Sequence, residues 1–168
     1  MRTNPSPADA GSRVELHVRS LSPDEGRGPQ SAVLEELRRL DDADRIGELS
    51  VSVWGRQISL STTAAGTNEG QAILERIGAF RSWARSTGGT LEPFLKTREA
   101  TSSITGETHT ALVLPTMLLA EYHDGELVHV APHADDDAVT TVADRLETLA
   151  ATTDRRGSDA EETTLVTQ

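Results

Sequence analysis

The amino-acid sequence predicts a single α/β domain, because apolar residues recur with period two in short runs and with helical period in longer ones, and the two kinds of run alternate along the chain. A length of 168 residues is enough for one hydrophobic core without metal or disulfide support. The 36% apolar content, gathered in those runs, argues for a folded chain despite a formal net charge of -11.

Residues 1–12, rich in Pro, Ser and Asp, are expected to form a disordered tail, and residues 152–168, polar with an acidic run, a second one. The domain is expected over 13–151. Val14, Leu16 and Val18 alternate with Glu15, His17 and Arg19, the pattern of a strand with one buried face. A loop follows over 20–29, and then Val33, Leu34, Leu37 and Leu40 repeat at helical spacing, with Pro29 suited to the first turn. This helix should end among Asp41, Asp42 and Asp44. Leu49, Val51 and Val53 alternate with Glu48, Ser50 and Ser52 as a second strand, completing a β-α-β unit. Residues 56–61 read as a short strand or turn. Asn68 and Gln71 have capping-box spacing, and Ile73, Leu74, Ile77, Phe80 and Ala84 form the stripe of a helix that Gly88 and Gly89 stop. The stretch 91–109 shows no clean period, so an extended segment with an exposed loop is expected. Residues 117–122 and 126–130 read as strands around the hairpin turn Asp124-Gly125. Asp135, Asp136 and Asp137 are expected to cap a last helix carrying Val139, Val142, Leu146 and Leu149.

Lys96 is the only lysine, against fifteen arginines, and acidic residues number 27. In molar salt the Debye length falls to about 3 Å, so dense carboxylates repel one another little. The composition is similar to that of halophilic archaeal proteins. The absence of cysteine excludes thiolate nucleophiles, thiolate metal ligands and disulfides, and suits a reducing cytoplasm. No window approaches the roughly 18 apolar residues of a membrane span, and the first residues lack a signal-peptide core, so a cytoplasmic protein with no membrane partner is expected.

Two resemblances follow from particular residues. Thioredoxins place C-G-P-C between the first strand and its helix, where this chain has Arg27-Gly28-Pro29-Gln30, without either cysteine. They enter their hairpin through a cis-proline usually followed by threonine, and Leu114-Pro115-Thr116, running through Met117-Leu118-Leu119 to Asp124-Gly125-Glu126-Leu127, resembles that pattern. The match covers a little over half of the chain and leaves the middle helix unplaced. It implies a thioredoxin-like three-layer sandwich: β-α-β, then helix, β-hairpin and C-terminal helix. With Arg27 and Gln30 at the cysteine positions, it also implies no dithiol oxidoreductase activity. The whole chain resembles a haloarchaeal family, through segments such as LEPFLKTRE, ITGE and ALVLP, whose members are often labelled helix-turn-helix proteins. In that light residues 32–55 look like a helix running into the wing of a winged helix.

On the thioredoxin resemblance, Arg27, Gly28, Pro29, Gln30, Pro115 and Thr116 would form a groove for an extended peptide strand or a small anion. His123, His129 and His133 with Asp135 to Asp137 could be drawn as a metal site, but a proline between His129 and His133 breaks any helical pairing, and no metal is assigned. Trp54 and Trp83 read as core or domain-edge aromatics. Glu92, Arg98, Glu99 and Glu107 could make a polar site in the 91–107 loop. Arg38, Arg39 and Arg45 are offset by Glu35, Glu36, Asp41, Asp42 and Asp44, which argues against a basic DNA-binding helix. No nucleotide or catalytic-triad motif is present, and neither catalytic residues nor a cofactor are assigned. The expected function is a redox-inactive thioredoxin-like binding or adaptor module with a protein partner or a second copy of the chain. A DNA-binding regulator and a small enzyme acting at the 91–107 loop are the alternatives.

Overall fold

The computed structural model describes residues 11–21, 28–60 and 68–151. The expected tails therefore lie outside the described residues, apart from Gly11 and Ser12. Ser12–Val18 form β1, Pro29–Asp42 α1, Glu48–Val53 β2 and Gln57–Ser59 β3. Asn68–Ser86 form α2, Lys96–Thr101 β4, Thr108–Val113 β5, Met117–His123 β6 and Glu126–Ala131 β7. His133–Ala134 and Val139–Thr140 form the short β8 and β9, and residues 142–151 form α3.

The central sheet has four strands in the order β2-β1-β6-β7. β1 runs parallel to β2, with Leu16 opposite Val51, and antiparallel to β6, with Leu16 opposite Leu119. Alternation along these strands divides the core in two. Val14, Leu16 and Val18 pack with Val33, Leu37 and Leu40 of α1 and Val142 and Leu146 of α3 on one face. Leu118, Ala120 and Val130 pack with Ile77, Phe80 and Ala84 of α2 on the other. Helices therefore cover both faces, and both cores are apolar enough for each fully buried Leu or Phe to contribute about 1.5–3 kcal/mol by transfer alone. The apolar spacing of α1 accounts for its buried positions Val33, Leu37 and Leu40, and Pro29 sits in its first turn after Gly28 at the N-cap. α2 ends where Gly88 adopts a positive φ and the Gly89 amide donates back to Ala84 O. The side chain of Asn68, expected to cap α2, lies outside the described residues.

The extended segment expected over 91–109 is present as β4 and the exposed loop as the turn at 102–107, and three other expectations are corrected. After a 3-10 turn at Glu92–Phe94, β4 pairs with β5 and β5 with β3, making a second, antiparallel sheet of order β3-β5-β4. Pairing hid this from the sequence pattern, because nearly all of β4 is exposed on both faces and shows no apolar alternation. Val139 lies in β9, half exposed, not on the last helix. That helix is capped by Thr141, whose hydroxyl accepts from the Asp144 amide while Asp144 accepts from the Thr141 amide, a reciprocal box. Asp135, expected at that cap, instead closes a turn by accepting from the amides of Asp137 and Ala138. Finally, the cis peptide among the described residues is Ala131-Pro132; Leu114-Pro115 is trans, so Pro115 does not take the cis-proline place.

Candidate functional site

The loops at the carboxyl end of β1 bring several expected residues near one another. Gln30 Nε2 donates to Ser20 O at 2.7 Å, which ties the start of α1 to the end of β1. On the other side the Arg19 amide donates to Thr116 O at 3.2 Å, and the Trp54 indole to Pro115 O at 3.3 Å. Gly28 O accepts from the amides of Ser31 and Ala32, and Pro29 has no amide proton, so the first turn of α1 has few free donors for an anion. Arg27 lies outside the described residues.

A cleft of about 380 Å³ opens beside this point, lined by Arg19, Arg56, Gln57, Arg98 and Val113. Arg19 follows β1, and its Nε and Nη2 both donate to Leu114 O, at 2.9 and 2.6 Å, which holds the guanidinium in place. Arg56 follows Gly55, whose positive φ turns the chain from β2 toward β3, and Arg56 O accepts from the Leu114 amide. Arg98 projects from β4, with Nε donating to Gln57 Oε1 at 2.9 Å. Among the described residues no carboxylate forms an ion pair with Arg19, Arg56 or Arg98. Two other clefts differ in this respect: one includes Glu92, which pairs with Arg81, and the other includes Glu48 and Asp124. A guanidinium offers a planar fork of donors suited to carboxylate or phosphate oxygens, and the donors of Arg19, Arg56 and Arg98 not used in the bonds above are the groups this cleft has to offer an anion.

Sequence analysis missed Arg19 and Arg56. The available signal was a weak one: Arg19 ends a predicted strand, and Arg56 follows a glycine at the mouth of a predicted short strand. The proposed polar site in the 91–107 loop is not assembled. Glu92 pairs with Arg81, Arg98 faces Gln57, Glu99 lies on the other side of β4 by strand alternation, and Glu107 belongs to the tip of the β4–β5 hairpin.

Two buried polar clusters lie within the layers. Glu15, 6% exposed, accepts from Arg76 at 2.7 Å and lies 3.3 Å from Arg13. His17 stacks on Trp54 at 5.1 Å, and burial pushes its imidazole below its ordinary range, so it packs as a neutral ring. Its Nε2 is 3.3 Å from Glu15 without an aligned hydrogen bond. Burial, with Glu15 adding to it, raises the Tyr122 phenol. On the other side Arg145 of α3 makes a bidentate pair with Glu121, at 2.6 and 2.9 Å. His129 lies 3.7 Å from Glu121 and packs against Trp83 and His133 at ring separations of 5.1 and 5.2 Å. Trp54 is a core residue, and Trp83 is a partly buried one at the core's edge. His123 stands apart, half exposed beside Asp124. Among the described residues no three His, Asp or Glu side chains converge as metal ligands.

Fold and cleft together define a class: a mixed α/β domain with helices on both faces of its main sheet and an arginine-lined cleft at the carboxyl end of β1. The family model described as a helix-turn-helix domain matches residues 6–154, and the chain belongs to that family. No curated protein and no solved structure matches the chain. Among the described residues no two helices are joined by a short turn: α1 leads into β2, α2 into the 3-10 turn and β4, and α3 follows β9. No described helix is long and apolar enough to cross a membrane.

Proposed function

We propose that this protein is a non-catalytic binding module that holds an anionic group of its partner in the cleft of Arg19, Arg56 and Arg98, on a frame of thioredoxin-like topology. The frame reading is supported by the sheet order β2-β1-β6-β7, the parallel β1–β2 pair, the antiparallel β6–β7 hairpin and the two helical layers. Without cysteine such a frame has no dithiol chemistry and is left with recognition. The acid-rich surface suits a high-salt setting, in which only local charge is felt.

The observation that carries the reading is three guanidinium groups lining one cleft, with no carboxylate paired to them among the described residues, in a chain of net charge -11. Like charges gathered without counter-charges attract an anion. Titration of isotope-labelled protein with inorganic phosphate, followed by NMR, tests it. The amides of Gln57 and Val113 should shift together, and Arg56→Gln should weaken binding roughly three- to tenfold. Shifts that favour exposed arginines elsewhere, such as Arg85, would refute the cleft.

A second reading, a transcriptional regulator that binds DNA, is favoured by the description of the family. In that case the anion would be backbone phosphate. A gel shift on the protein's own promoter region in molar KCl tests it, and retention of free DNA at every protein concentration would end it.

A further inference from the structure

We infer, resting on the DNA-binding reading, that duplex DNA is contacted by a β-ribbon and not by a helix. In this inference the β4–β5 hairpin lies in the major groove, Lys96, Arg98 and Arg56 hold flanking phosphates, and Ile104 touches the base edges.

The register supplies the first part of the case. Lys96 opposes Val113, Arg98 opposes Ala111 and Ala100 opposes His109, while Gln57 of β3 also opposes Val113. Period-two alternation puts Lys96, Arg98, His109 and Gln57 on one face of the small sheet and Glu99 on the other. Arg98, Gln57 and Val113 meet on the cleft with Arg56 and Arg19, so that face continues into the arginine cluster. Lys96, the only lysine, forms no ion pair among the described residues. The helix alternative is weaker. Arg39 of α1 is already paired with Glu36, and Asp41 and Asp42 stand in the same helix.

The hairpin tip supplies the second part. Ser102 N donates to Glu107 O and Gly106 N to Ser102 O, while Ser102 Oγ accepts from the amides of Ile104 and Thr105. This bonded turn holds Ile104 in water at 93% exposure, where no packing among the described residues explains an isoleucine. Glu107 is the carboxylate at that turn, so phosphate contact is confined to the Lys96–Arg98 end. From Arg98 to Thr101, the last paired residue of β4, the ribbon extends roughly 10 Å, and the turn carries Ile104 beyond it. The major groove is about 12 Å wide and admits a two-stranded ribbon, so phosphates and base edges are both within reach.

In strong salt the net negative charge is screened within a few ångströms, and the counterion-release gain also fades, which leaves an apolar tip contact a larger share of the affinity. Salt therefore separates the two contributions. The experiment is fluorescence anisotropy of a labelled mixed-sequence duplex about three helical turns long, with the full chain, from about 0.2 M to about 2 M KCl. Lys96→Gln and Arg98→Gln should each weaken binding about three- to tenfold at low salt and reduce the salt slope by about one. Ile104→Ser should weaken it by a similar factor at every salt concentration without changing the slope, and Arg38→Gln on α1 should leave it unchanged. If the native chain binds and Arg38→Gln abolishes binding while the ribbon variants retain it, the ribbon inference is overturned and the DNA-binding reading survives. If the native chain fails to bind the duplex across the whole salt range, both fall. Circular dichroism of each variant confirms that the fold is intact.

Discussion

His129 makes stability depend on pH in a direction that can be worked from its surroundings. Burial first, and then the Arg145 guanidinium, lowers its imidazole from an ordinary 6.5 to about 4, with Glu121 opposing and His133 adding to the shift. In the unfolded chain the ring titrates near 6.5, so between these two values the unfolded state binds more protons than the folded one. The stabilisation is therefore complete above about pH 6.5, is lost as pH falls toward 4, and stays lost below. At about 1.4 kcal/mol per unit, the gap amounts to roughly 3 kcal/mol. Carboxylates also titrate in this range, so the decisive quantity is the difference between the native chain and His129→Gln, measured by urea unfolding at a series of pH values. The native chain should lose roughly 3 kcal/mol more than the variant between about pH 7 and pH 4. Its His129 ring resonances should show a midpoint near 4. Parallel pH profiles for the two proteins, or a ring midpoint near 6.5, would refute the reasoning.

Three further outcomes follow from packing and capping. Arg145→Met leaves the buried Glu121 carboxylate without its bidentate partner and should cost about 2–3 kcal/mol in urea unfolding, while the His129 midpoint rises because its largest opposing charge is gone. Phe80→Ala empties a fully buried site between α2 and the central sheet and should cost about 3–5 kcal/mol; a loss under about 1 kcal/mol would mean that α2 does not pack as described. Thr141→Ala removes one half of the reciprocal cap on α3 and should lower stability by about 1 kcal/mol, seen as a reduced Tm, whereas Asp135→Ala should leave α3 unaffected.

The legible parts of the fold were those in which one face is buried and the other wet. β1, α1 and α2 have such faces, and the positions expected to be inside, including Leu16, Leu37 and Phe80, are buried. The bounds and pairing of β4 were not legible, although an extended segment was expected there, because its sequence, KTREAT, is exposed almost throughout, and a strand wet on both sides has no period to show. Val139 was misplaced for a related reason. It lies three residues before Val142 and fits a helical stripe, but the capping residue Thr141 comes after it, and capping decides where a helix begins. The reciprocal Thr141–Asp144 spacing was visible in the sequence, yet three consecutive aspartates just upstream gave a louder and misleading signal.

The cleft was illegible for a different reason: its arginines come from positions 19, 56 and 98, and each alone is one of fifteen. Two of them, Arg19 and Arg56, are joined by Leu114, fully buried, at the point where β5 leaves the small sheet and the chain crosses through Pro115 to β6. Its amide donates to Arg56 O, and its carbonyl receives both Arg19 donors. A single residue thus fastens the loop after β2, the end of β1 and the small sheet together, using backbone groups that any residue type but proline could supply. No pattern of side chains announces such a joint. Because one residue sets the positions of both Arg19 and Arg56, a change of backbone at 114 should disturb anion binding even though Leu114 itself carries no charge, whereas a change of charge at Arg56 should leave the fold untouched. That asymmetry between geometry and charge is what the proposed anion site, assembled by the meeting of two sheets, predicts, and a site embedded in a single helix would not show it.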